Sequence, residues 1–114
     1  MKLSIEKQEL LRGLGRIQAI VEKRNAMPIL ANVLLSTEKD GPLTLAATDL
    51  EVGIRSEHTA KIQKAGSLTV GAKKFHEVVR ELPDETIQLE ATANSYLSVQ
   101  CGRSQFTLAG TAAE

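Results

Sequence analysis

The stretch GSLTVGAKKFHEVVRELPDETIQL, residues 66–89, decides the fold. Leu68 and Val70 mark a short strand, and a tight join leads into a basic-edged amphipathic helix. From Lys73 to about Leu82 that helix turns Phe75, Val78, Val79 and Leu82 to one side, and Pro83 stops it. A second strand, Thr86 to Ala91, follows. The chain opens with the same order. Met1, Leu3 and Ile5 alternate against Lys2, Ser4 and Glu6, and a helix begins near Lys7 with strands after it. Two copies of one strand–helix–strands unit, about 1–65 and 66–110, predict an internally pseudo-symmetric α+β layout in place of a pocketed enzyme fold. Each unit then presents one helix, and the outward faces of those helices carry the function.

The first helix is expected from Lys7 to Val21. Leu10, Leu14, Ile17 and Val21 fall on one stripe with Leu11 and Ile20 beside it, while Arg12, Arg16 and Lys23 fall opposite. Gly13 and Gly15 each cost about 1 kcal/mol of helix propensity, so packing of the apolar stripe must hold this helix. A polar loop, Glu22 to Met27, leads to a strongly apolar strand, Ile29 to Ser36. Lys39-Asp40-Gly41-Pro42 is a turn. Leu43, Leu45 and Ala47 then alternate with Thr44, Ala46 and Thr48, and Thr48-Asp49 makes a corner. The next strand, carrying Leu50, Val52 and Ile54, is expected to run on towards Ile62. In the second unit, strands at Tyr96–Cys101 and Ser104–Ala109 follow Thr86–Ala91, with turns at Ala93-Asn94 and Gly102-Arg103.

Composition bounds the function. A chain of 114 residues with 42% hydrophobic and 25% charged residues builds one domain with one core. Net charge is zero, so any case for a polyanionic partner rests on where the charges lie. Three aromatics, Phe75, Tyr96 and Phe106, are too few for a base-stacking platform. Cys101 is alone, which rules out an internal disulfide and suits a reducing, cytoplasmic setting. No apolar run approaches the ~20 residues of a membrane span, and Met1-Lys2 leads directly into a strand, so neither a membrane nor a signal peptide is expected.

Four segments carry a resemblance. PILANVLL (28–35), LTLAATDLEVGI (43–54), TVGAKKFHEVVRELP (69–83) and CGRSQFTLAG (101–110) resemble, in order and in spacing, the N-terminal domain of the bacterial sliding clamp, the β subunit of DNA polymerase III. The resemblance spans essentially the whole chain. It implies the DNA-clamp (processivity) fold, with two helices packed on two antiparallel β-sheets. It further implies three such domains per protomer and a head-to-tail homodimeric ring around duplex DNA, which tethers the polymerase without catalysis of its own. On that reading residues 1–110 are the first domain and 111–114 begin a linker. DNA polymerase and clamp loader would bind at later domains, and no cofactor is implied.

The resemblance also names site residues. Arg24, after the first helix, and Lys73, opening the second, match basic positions that touch DNA phosphates in the family. Arg12, Arg16, Lys23 and Arg80 are further DNA-binding candidates. Sliding requires weak, sequence-independent attraction, which cations on mobile stems supply without base contacts. The last strand matches the family's ring joint, where apolar residues fill a small core and bases meet acids. Phe106 and Leu108 fit the first role, Lys74 and Arg103 the second. Gln105 and Tyr96 stand uncharged where the joint is ionic, so the ionic part of closure is thinner here.

Each candidate has a plainer reading. Charges opposite an apolar stripe are usually a solvated helix face, and Glu77 and Glu81 partly cancel the cations of the second helix. His58 and His76 lack ligand-spaced companions for a metal. Cys101, on one strand face with Leu97 and Val99, reads as a small buried hydrophobe. Asp49 and Glu51 read as turn residues rather than a metal-binding acid pair. Two other functions remain open at this point. A β-rich protein-interaction module would show no salt-dependent DNA affinity, and a tight single-domain DNA binder would hold linear duplex at physiological salt.

Overall fold

The computed structural model describes residues 1–23, 32–48, 53–92 and 94–111, with the side chains of 20–23 and 48 outside that set. In chain order the elements are β1 (Lys2–Glu6), α1 (Lys7–Lys23), β2 (Asn32–Thr37), β3 (Leu43–Thr48), β4 (Gly53–His58), β5 (Lys61–Lys64), β6 (Gly66–Gly71), α2 (Ala72–Glu81), β7 (Thr86–Ala91), β8 (Tyr96–Cys101) and β9 (Ser104–Thr111).

All the strand pairs are antiparallel, and the strands follow one hydrogen-bonded order, β4-β3-β2-β6-β9-β8-β7-β1-β5. That order is two ladders with a narrow joint. Among the described residues β6 and β9 meet through Thr69 opposite Thr111 and Val70 opposite Gly110. A side chain at Gly110 would sit 2.7 Å from the Ser95 carbonyl oxygen and 3.0 Å from that of Thr69, so the joint closes only because position 110 has none.

The pseudo-symmetry expected from sequence takes a specific form. Each unit's first strand pairs with the other unit's second. β1 lies beside β7, with Leu3 opposite Leu89 and Ile5 opposite Ile87. β6 lies beside β2, with Val70 opposite Val33 and Leu68 opposite Leu35. These inward pairs are buried, and so are Leu43 and Leu45 of β3 and Leu97, Val99 and Cys101 of β8. Alternation with polar residues leaves the opposite face of each ladder to solvent.

Both helices cover the apolar face and pack side by side. Leu10, Leu14 and Ile17 of α1 are fully buried, as are Phe75 and Val79 of α2. Burial of a large aliphatic side chain contributes about 1.5–3 kcal/mol, so three of them outweigh the propensity cost of Gly13 and Gly15. Lys7 ties the two units together. Its Nζ donates to the carbonyls of Leu82 (2.6 Å) and Arg80 (3.3 Å), placing a cation at the C-terminal end of α2.

One expectation fails. The strand through Ile54 does not run on to Ile62 but ends at His58. Thr59 and Ala60 break it, and the chain restarts as β5, which pairs with β1 at the other end of the strand order. The alternation that suggested one strand continues through inward-facing His58, only 3% exposed, to Ile62; what ends the strand is the change of partner from β3 to β1.

Candidate nucleic-acid interface

The two helices bring their polar sides to one surface. On α1, Arg12 and Arg16 are exposed opposite the buried Leu10, Leu14 and Ile17. On α2, Lys73, Lys74 and Arg80 are exposed opposite Phe75, Val78 and Val79, with Glu77 half-buried and Glu81 exposed. Between the helices runs a groove of about 230 Å³ lined by Gly15, Gln18 and Ala19 from α1 and by Lys73, His76, Glu77 and Arg80 from α2. Lys73 and Arg80 thus share one concavity. Arg24 lies outside the described residues, as does the side chain of Lys23.

Arg12 is engaged from below by Glu9, one turn earlier. Glu9 also accepts a hydrogen bond from His58 Nδ1 at 2.8 Å, and His58 Nε2 lies 2.8 Å from Ser56 Oγ. A carboxylate has only lone pairs to offer, so Nδ1 carries the proton and, in the neutral ring, the Ser56 hydroxyl donates to Nε2. His58, then Arg12, hold the Glu9 carboxyl below its ordinary value against partial desolvation. Gly13 makes room for the ring, since a side chain there would stand 2.4 Å from His58 Nε2. This Arg12–Glu9–His58–Ser56 chain was not foreseen. The available signal was the inward parity of Ile54, Ser56 and His58 together with a glycine one turn beyond Glu9.

β9 offers an open edge. β8 pairs with it from Ser104 to Ala109, whereas β6 reaches it only at Gly110 and Thr111. Phe106 stands opposite buried Val99 and Leu108 opposite buried Leu97, which puts both on the apolar face at its rim. Phe106 is nonetheless 39% exposed and Leu108 partly so. Arg103 and Gln105 are exposed near the hairpin turn, where Gly102 takes φ +58°. Tyr96, 46% exposed, lies opposite Ala109 at the far end, and Lys74 is exposed on the first turn of α2. Five of these six residues lie on the β8–β9 hairpin, and Lys74 lies on α2.

Cys101 is buried, its Sγ donating to the Pro83 carbonyl at 3.4 Å, and burial pushes its thiol upward. Asp49 and Glu51 lie outside the described residues. Among the described residues no three His, Cys, Asp or Glu side chains gather as metal ligands, and no helix is long and apolar enough to cross a membrane.

This arrangement of exposed cations over paired helices, backed by two linked ladders, has relatives. Residues 1–114 match the family model described as the DNA polymerase III beta subunit, N-terminal domain. The chain belongs to that family. The beta sliding clamp of Caulobacter vibrioides is 44% identical over 110 residues, covering 95% of this chain and 29% of that protein. That of Vibrio cholerae is 38% identical, with 96% and 30% covered. Among solved structures, the DNA polymerase sliding clamp from Caulobacter crescentus superposes with a TM-score of 0.89 at 43% identity, over 99% of this chain and 31% of that one. A polymerase III beta subunit from Eubacterium rectale gives 0.89 at 31% identity, with 98% and 30% covered. The chain therefore spans about three-tenths of the length of these clamps. Among the described residues, two helices on nine antiparallel strands make up the fold shared with these clamps.

Proposed function

We propose that this clamp domain forms one arc of a ring that encloses duplex DNA, with α1 and α2 on the inner lining and the strands as outer wall. The observation that carries the reading is the pairing of the helices on one face with Arg12, Arg16, Lys73 and Arg80 all exposed there. Lys73 and Arg24 are the principal phosphate contacts, and Arg12, Arg16, Lys23 and Arg80 are auxiliary. Arg12 contributes least, because Glu9 already offsets its charge. Residues 1–110 act as the domain and 111–114 as the start of a connection onward. The domain holds DNA by enclosure and does no chemistry on it, so low affinity per contact is an advantage.

The margin along β9 closes the ring by pairing edge to edge with a later domain of a second protomer. Phe106 and Leu108 supply the apolar centre, while Lys74, Arg103, Gln105 and Tyr96 form the rim. Polymerase and clamp loader bind elsewhere on the complete ring. The test is topological. A ring carrying this chain as its first domain, loaded on nicked circular DNA, stays bound through gel filtration and is lost once the circle is linearised. Retention on linear duplex, or no retention on the circle, would overturn the proposal. Lys73→Ala in that ring lowers the slope of log affinity against log salt by about 0.9, the share of one phosphate.

A further inference from the structure

The groove between α1 and α2 contains a residue that the proposed DNA contact has not yet used. His76 sits on α2 between Lys73, one turn before it, and Arg80, one turn after it, and all three line the same concavity. The opposing wall, from α1, is Gly15, Gln18 and Ala19, with no charge and little bulk. A side chain at Gly15 would meet nothing within 4 Å, so the groove is open where a ligand would enter. Among the described residues the charged groups facing this space are Lys73, Arg80 and Glu77, all from α2, which sum to one positive charge. Histidine is the side chain whose charge ordinarily changes between about pH 5 and 8. Its protonation would double the net charge of the groove.

We propose that His76 is a titrating phosphate contact: with Lys73 and Arg80 it seats one backbone phosphate of duplex DNA, and the domain's hold on DNA tightens as pH falls. The inference rests on the DNA-enclosing reading above. Its occupant is a phosphodiester because the groove is cationic, polar and too open for a buried small molecule, and because the long stems of Lys73 and Arg80 can converge from either side on an anion held beside His76. Alanine and glycine on the facing helix let the phosphate approach the ring without a clash. Glu77 keeps the groove from gripping DNA when His76 is neutral, so the proton becomes the adjustable part of the charge.

The experiment is NMR titration of the 114-residue chain with a short duplex at low salt, following the His76 ring and the Lys73 and Arg80 side chains from about pH 8 to about pH 5. The expected result is that duplex raises the pH at which His76 titrates. At the acid end, affinity should fall about threefold more between 50 and 200 mM salt than at the alkaline end, the share of one added phosphate contact. His76→Gln removes that difference, and His76→Lys makes the steeper salt dependence independent of pH. Ala19→Glu, which leaves His76 in place but fills the groove with a carboxylate, also removes it. Responses from Lys73 and Arg80 with an unmoved His76, or a pH effect that survives in His76→Gln, would overturn this inference and leave the DNA reading intact. No response from any of the three would overturn both.

Discussion

Gly13 and Gly15, two residues apart on α1, look alike in sequence and differ in consequence. At Gly13 a methyl group would stand 2.4 Å from His58 Nε2 and 2.9 Å from Leu45 Cδ1, whereas at Gly15 it would meet nothing. Gly13→Ala is therefore expected to destabilise by about 1–3 kcal/mol through overpacking, more than the helix gains. Gly15→Ala should stabilise by about 0.5–1 kcal/mol, and urea unfolding of the two variants separates them by sign. The same cluster responds to acid. Because the folded Glu9 carboxyl binds its proton less readily than the unfolded one, its stabilising contribution is complete above the ordinary value of 4.5 and fades as pH falls through and below it. Glu9→Ala should abolish that part of the acid sensitivity and, by leaving the buried Nδ1–H of His58 without its acceptor, cost about 1–3 kcal/mol at neutral pH. Comparing unfolding of wild type and variant near pH 7 and near pH 4 checks both statements. The inward parity of β4 and a glycine on α1 hinted at this cluster, but its partners were not legible, since Glu9 and His58 are 49 positions apart and only the packing of α1 on β4 joins them.

At the scale of elements, the helices and most strands were legible because their apolar periods are clean. Phe75, Val78, Val79 and Leu82 recur at helical spacing, Leu43, Leu45 and Ala47 at strand spacing, and all are buried as that spacing requires. The break between β4 and β5 was not legible, because Ile54, Ser56, His58, Ala60 and Ile62 keep one parity across it. Only the long-range choice of partners, β3 for one piece and β1 for the other, ends the strand. β9 carries its own prediction. Its outer edge is unpaired from Ser104 to Ala109 and bears a part-exposed Phe106, the condition under which strands recruit one another. The 114-residue chain should self-associate through this edge. Phe106→Lys should weaken that association at least about tenfold, as expected for loss of an aromatic anchor, with little change in unfolding midpoint. Sedimentation at several concentrations reads the first effect and thermal melting the second.

For the whole molecule, the cations were legible residue by residue but their grouping was not. Lys73 and Arg80 could be placed on one side of α2, yet their sharing of a groove with His76 opposite Gly15 and Ala19 depends on how α1 lies against α2. The margin from Arg103 to Tyr96 was likewise readable as residues, while its openness follows from the short β6–β9 joint. The exchange of first strands between the two halves has one more consequence. β1 and β5 belong by sequence to the first half but complete the ladder of the second, and β6 does the reverse. Severed after Ala65, the polypeptide would yield a first piece that lacks β6 and carries β1 and β5 of the other ladder, and a second that lacks β1 and β5 and carries β6. Neither piece should acquire structure in isolation. Mixed, they should reassemble with a concentration-dependent rise in circular dichroism, since each piece templates its counterpart as the two halves of a clasp do.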